Sequence, residues 1–254
     1  MNRLAQILRE SFMSTSRFPR WWILALAQAF GLYFIGDLAR RHGLRPLFVY
    51  WLICGVLIMI PATVLMWSEI EAVKSKRQNN RMPLKTFIGQ CLTAGAVALC
   101  SVVLILAARF LYPDWLFLAL ISSTIAATAT LAMLYAVLCG QPFFKAVILA
   151  GDTWNRKISL AAIVAFILIL AQGVSFAFVH GVLRSVRMAQ GFSDYNHSAT
   201  IWILLLVLLF LTAFVGAFLN NFLVLLFLET INPKKDPEAE KEAIGRLITS
   251  EVSQ

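Results

Sequence analysis

Charge is what this sequence has least of. Of its 254 residues, 14% are Asp, Glu, Lys or Arg and 60% are hydrophobic, against about a quarter charged in an average soluble domain. The shortage is sharpest at residues 200–228, twenty-nine positions with no Asp, Glu, Lys, Arg, His or Pro. A helix of that length reaches roughly 43 Å, more than the roughly 30 Å of a bilayer's hydrocarbon. A soluble domain of 254 residues could not easily bury it. The solvent is therefore lipid, where backbone N–H and C=O groups must be satisfied within each spanning element. The expected class is all-α.

Cysteine is scarce as well. Cys54, Cys91 and Cys100 lie in apolar runs and Cys139 at the end of one, so they read as small packing residues rather than a disulfide framework. Cys91 and Cys100 stand two and a half helical turns apart and point to opposite sides. No clear small-x-small cleavage site follows the first apolar run, so that run is expected to stay as a span. The phosphate loop G-x-x-x-x-G-K-[ST], the zinc helix H-E-x-x-H, the nucleophile turn G-x-S-x-G and a paired C-x-x-C are all missing. So are the closely spaced aspartates that hold Mg²⁺ in lipid-headgroup transferases. Together these absences point away from an enzyme and leave no cofactor to expect. The net charge of +9 is spread over short loops, which argues against nucleic acid and for anionic lipid headgroups as partner.

What is present is a series of apolar runs. Six spans are expected, at 21–38, 47–67, 86–106, 115–138, 158–179 and 200–228, arranged as three hairpins. Trp21, Trp22, Trp51, Trp67, Trp115, Trp202 and Tyr112 fall near span ends, where amphipathic rings favour the interface. Pro61 lies inside the second span and predicts a kink. Ser122, Ser123, Ala126, Ala127 and Ala129 in the fourth predict close helix packing. In the N-terminal segment, the 68–85 and 139–157 connections and the tail, sixteen Lys and Arg collect; the other three connections hold six. That imbalance places both termini in the cytoplasm.

Each outward-running span has an amphipathic lead on the cytoplasmic side. Leu4, Ile7, Leu8 and Phe12 form one stripe, Leu84, Phe87, Ile88 and Cys91 a second, and residues 142–150 a third, with Pro142 at a first helical position. Short interfacial helices are expected there, in a degenerate threefold internal repeat. The division is thus an interfacial segment at 1–20, a six-helix membrane domain at 21–228 and a cytoplasmic tail at 229–254. In the tail Asp236 and Pro237 could start a short amphipathic helix.

Residues 8–30 and 142–170 share an amphipathic lead, then an aromatic residue, a basic residue and a long aliphatic span, with Phe18-Pro19-Arg20 set against Trp154-Asn155-Arg156. In this the chain resembles the six-span bacterial family containing the membrane domain of glycerophosphodiester phosphodiesterases and YciC-like inner-membrane proteins. The resemblance covers the spans but not the tail. It implies an all-helical module in a bacterial inner membrane. The family's catalytic domain, where present, is a separate soluble barrel for which this chain has no room, so no catalytic residue carries over.

Three groups of residues are candidates for a site. His42, His180 and His197 share the outer side with Asp37, Asp114 and Asp194; imidazole and carboxylate can bind a transition metal, but the spacing matches no known site and plain solvation ranks higher. Gln28, Gln172, Asn220 and Asn221 lie within spans and either line a solute path or bond one another across helices. No span carries a central Asp, Glu, Lys or Arg, which favours bonding over transport. Lys74, Lys76, Arg77, Arg81 and Lys85 fix the topology and could grip anionic lipid or an acidic partner. The expected function is a non-catalytic scaffold, assembly partner or lipid-associated accessory, working with membrane lipids and a protein partner or a second copy of itself. Its rivals are a small-solute transporter or channel and a lipid-modifying enzyme.

Overall fold

The computed structural model describes residues 3–42, 52–75, 82–111, 115–191 and 195–231. All regular structure among them is helical. The helices are α1 (Arg3–Arg17), α2 (Pro19–His42), a π-helical segment (Leu52–Met59) running into α3 (Ile60–Lys74), α4 (Leu84–Leu111), α5 (Trp115–Leu138), α6 (Phe143–Arg156), α7 (Ile158–Gly191) and α8 (Tyr195–Ile231). Within them, Leu84–Ala108, Leu120–Leu138 and Trp202–Ile231 are each long and apolar enough to cross a membrane. A fourth such stretch forms if Phe143–Arg156 and Ile158–Leu170, which meet at 110°, count as one. These are the helices of a membrane protein.

The core lies where α2, α3, α5, α7 and α8 meet. α5 packs on α3, α4, α6 and α7, and its Ala127, Leu131 and Leu134 are fully buried. The small residues of its N-terminal half let neighbours approach, as an alanine-rich surface should. α8 packs on α1, α2, α3 and α7. A Cβ built on its Gly216 would stand 3.1 Å from the Ala25 Cβ of α2, so the two backbones nearly touch there. α4 is the least covered of the three spanning stretches, with 17% of its window buried against 44% for α5. Leu92, Val103 and Leu104 face outward from it.

Pro61 sits in the first turn of α3, directly after the π-helical turns. A proline ring collides with the carbonyl one α-turn before it and supplies no N–H. The wider π turn is a local way to absorb that misfit. Gly31 of α2 is the complementary feature: a Cβ there would lie 2.2 Å from Met59 Cγ. The widened segment therefore presses on α2 at a residue with no side chain.

Two breaks are each one residue long. α1 and α2 are separated by Phe18, with Pro19 opening α2; α6 and α7 are separated by Lys157. The structure thus sets Phe18 opposite Lys157, whereas the sequence comparison sets Phe18-Pro19-Arg20 opposite Trp154-Asn155-Arg156. The expected second lead is different: Leu84 to Leu111 is one continuous helix. No residue there interrupts it, because Pro83 precedes its first turn and Gly89 keeps the helical conformation. Gly140, with φ of 62°, ends α5 in the left-handed region, and the Gln141 N–H returns to the Tyr135 carbonyl at 3.2 Å. Pro142 then caps α6 from just outside it.

Candidate functional site: a polar belt at one end of the bundle

The polar side chains of α2, α3 and α8 form a closed chain of hydrogen bonds. Thr63 Oγ1 donates to the Met59 carbonyl at 2.7 Å, taking up an acceptor of the π segment beside Pro61. It accepts in turn from Gln28 Nε2 at 2.6 Å. Gln28 Oε1 accepts from Asn220 Nδ2 at 3.0 Å, which also donates to the Gly216 carbonyl at 2.9 Å. Trp67 Nε1 closes the chain on Asn220 Oδ1 at 2.9 Å. Every polar atom of the two amides has a partner, as a low-dielectric setting requires.

Asn221, one residue on, points about 100° away around α8 and is 1% exposed. Its amide serves α1: Nδ2 lies 2.9 Å from the Ser11 carbonyl, 2.6 Å from Ser14 Oγ and 3.2 Å from Thr15 Oγ1. α1 therefore turns Ile7, Ser11 and Thr15 inward and leaves Leu4, Leu8 and Phe12 outward. The sequence stripe grouped Ile7 with those leucines. The polar partner on α8 rotates the helix so that Ile7 alone enters the bundle. Phe12, Trp22, Phe210 and Phe214 complete the contact edge to face, with ring centroids 4.6–5.6 Å apart.

α6 is built the same way. Ala146, Ala150 and Thr153 face the bundle, and Thr153 Oγ1 meets the Tyr135 hydroxyl at 2.9 Å. Phe144 and Ile148 stand outward, and Lys145, Asp152 and Arg156 are exposed. At 100° per residue, both helices show three sectors in the same rotational order: bundle, apolar outward face, charged face. α1 and α6 thus share one pattern of faces, each is separated from the next helix by a single residue, and α6 is bent by 110° from the helix that follows it.

Charges tie this end together. Glu229 on α8 pairs with Arg3 on α1 at 2.9 Å, and Lys74 at the end of α3 lies 2.5 Å from Glu10 and 4.0 Å from Glu229. Arg20 and the Trp21 indole N–H both reach Glu69 of α3, at 3.0 and 3.1 Å. Lys157 donates to the Thr230 carbonyl in the last turn of α8, where a cation also meets the negative end of the helix dipole. Burial, with Glu71 adding to it, pushes the Cys139 thiol above its ordinary range. Gln90 Nε2 donates to the Val137 carbonyl at 2.8 Å, while its Oε1 is buried with no hydrogen-bond partner among the described residues.

Against the sequence expectations, Gln28 and Asn220 come together, while Asn221 on α8 stands apart from them and bonds to α1. Gln172 lies on α7 with its side chain outside the described set. Of the basic run, Lys74 is in the ion network and Lys85 is exposed on α4; Lys76, Arg77 and Arg81 lie outside the described residues. Of the outer cluster, His180 is exposed on α7. Asp114 and Asp194, and the side chains of Asp37, His42 and His197, lie outside the described set. Among the described residues no group of three or more His, Cys, Asp or Glu converges to hold a metal ion.

Two interfacial tryptophans are placed differently from expectation. Trp21 and Trp67 are buried in the bundle, because Glu69 and Asn220 offer acceptors there that a membrane interface would otherwise supply. Ser11, Ser14, Thr15, Thr63 and Glu69 escaped the sequence reading. Their signal was weak, since a Ser/Thr stripe on a short helix looks the same whether it faces water or an asparagine. Comparison of the chain with known protein families, curated proteins and solved structures returns no match.

Proposed function

We infer that the chain is a six-span protein of a bacterial inner membrane with both termini in the cytoplasm. It acts without catalysis of its own, as a scaffold or lipid-associated accessory. The observation that carries this is the mutual saturation of the polar groups inside the helices. Gln28, Thr63, Trp67 and Asn220 bond one another, which is what helix-packing groups do and what the walls of a solute path do not.

Six spans are supported by the lengths of α2, α4, α5, α7 and α8, from 24 to 37 residues, and by the joined length of the π segment and α3. Each exceeds the roughly 20 residues a tilted or upright span needs. The cytoplasmic assignment rests on the excess of Lys and Arg in the segments at the α1 and α6 end. That end suits a leaflet surface: two helices lie across it with apolar faces outward and Arg9, Arg17, Lys145 and Arg156 exposed beside them. Anionic headgroups are the matching partner. A protein partner or second copy would dock on the same platform.

The test is purification of the intact chain in mild detergent, with bound lipid and protein identified by mass spectrometry. Anionic phospholipid and a stoichiometric protein, or a homo-oligomer, are expected. A monomer free of both overturns the reading. Solute flux in reconstituted vesicles that disappears in Asn220→Leu would do the same, because it would give the belt a transport role.

A further inference from the structure

The two short helices, α1 and α6, lie at the same end of the bundle, because the last turn of α8 holds both. Its Glu229 pairs with Arg3 at the start of α1, and its Thr230 carbonyl accepts from Lys157, directly after α6. Among the described residues no other short amphipathic helix occurs. On α1 the bundle takes Ile7, Ser11 and Thr15, while Leu4, Leu8 and Phe12 stand exposed. On α6 it takes Ala146, Ala150 and Thr153, and Phe144, Val147 and Ile148 stand exposed, Phe144 by 79%. Arg9, Glu10 and Arg17 are exposed on α1, and Lys145, Asp152 and Arg156 on α6. At 100° per residue these charged sectors lie roughly 160° around α1 and roughly 110° around α6 from the apolar ones.

That division of faces selects the occupant. Each helix needs the bundle on one side, an apolar phase on a second and water on a third, a set met at a membrane interface. A protein partner would have to match two separate faces at once, whereas one leaflet meets both. The exposed Arg9, Arg17, Lys145 and Arg156 add charge complementarity to anionic headgroups. With 15 and 14 residues, the helices are each roughly 21 Å long and about 10 Å wide, so each covers roughly 200 Å² of the leaflet. Helices of this kind sink only about 5–10 Å, to the boundary between headgroups and acyl chains. The added volume therefore spreads the headgroups of one leaflet and leaves its deeper acyl layer and the opposite leaflet as they were. A convex leaflet already has its headgroups spread, so the insertion costs less there.

We propose that α1 and α6 act as a one-sided wedge, so that the protein favours convex anionic membrane over flat membrane, with its α1 and α6 end in the convex leaflet. The proposal rests on the membrane reading above and adds to its lipid contact a preference for membrane shape.

The experiment uses the full chain with its four cysteines replaced and either Lys145→Cys or Arg184→Cys added. It is reconstituted into phosphatidylglycerol-containing vesicles, either small and highly curved or large and nearly flat, and an impermeant maleimide reports the outward fraction of each probe. The outside-to-inside ratio for Lys145→Cys should be about fourfold higher in the small vesicles, the effect of burying one more methylene, and that for Arg184→Cys should fall to match. Phe144→Ser with Ile148→Ser removes the apolar face of α6 at exposed positions and leaves the bulk of the protein alone, so it should reduce the shift. Leu4→Ser with Leu8→Ser does the same on α1 and decides the matter if the α6 variant is unfolded, which thermal unfolding checks. A shift unchanged in a folded variant overturns the proposal, because overall shape would then be its cause. If that variant is also a monomer where the parent is an oligomer, the apolar faces belong to a second copy instead. Probes that remain complementary but ignore vesicle size sink the wedge alone. Probes that always react together sink the membrane topology on which it rests.

Discussion

Asn221 shows what a single amide does in an apolar helix. Buried among leucines, it must find acceptors or cost on the order of 1–3 kcal/mol, and it finds them on a helix more than 200 positions away in sequence. The demand for a partner was legible from the residue type; the partner's identity was not, because two adjacent asparagines look alike until α8 is rotated into place. Asn221→Leu keeps the volume and removes the donor. It should raise amide hydrogen exchange in residues 3–17 by about 10- to 100-fold while leaving α5 unchanged. Asn220→Leu should instead loosen α2 against α3 and leave α1 protected. Equal protection of α1 in the Asn221 variant and the parent would show that the ion pairs and aromatic contacts hold it without the amide.

At the level of elements, helices were legible and their irregularities were not. Apolar runs bounded by charge mark where a helix must lie. The helices nonetheless run past the expected spans, to Gly191 in α7 and from Tyr195 in α8, since an aqueous helix end carries no hydropathy signal. Pro61 announced a distortion, yet a π turn and a kink relieve the same misfit, and the choice depends on the neighbour. That neighbour is Gly31. Gly31→Ala places a Cβ 2.2 Å from Met59 Cγ, so Met59 must leave its rotamer in a packed contact, at about 1–3 kcal/mol. Thermal unfolding in detergent should fall on the order of 5 °C. Met59→Ala in the same chain should restore most of the loss by vacating the space. An unchanged midpoint in Gly31→Ala, or no recovery in the double variant, would mean that α2 and the π segment are not locked at this point.

For the whole molecule, the deciding quantities are where charge is and where it is absent. The structure ties α1, α3 and α8 together through Arg3, Glu10, Lys74 and Glu229, and Lys157, directly after α6, bonds the Thr230 carbonyl in the last turn of α8; these residues belong to the Lys- and Arg-rich segments. Charge bias and folding contacts therefore agree on which helix ends lie together, although they come from unrelated physics: one from the membrane's preference during insertion, the other from ion pairing after it. If both hold, a probe on α6 and a probe far along α7 must lie on opposite sides of the bilayer. Lys145 and Arg184 are both exposed, and about 39 helical residues separate them, with the 110° bend between. From Ile158 to Arg184 α7 rises roughly 39 Å, enough to clear a hydrocarbon layer of roughly 30 Å. In a chain whose four cysteines are replaced, Lys145→Cys should react with an impermeant maleimide only after the cells are opened, and Arg184→Cys should react in intact cells. Labelling of both from one side would mean that α7 bends back within the membrane. The six-span topology would then fail even though every helix in the bundle kept its place.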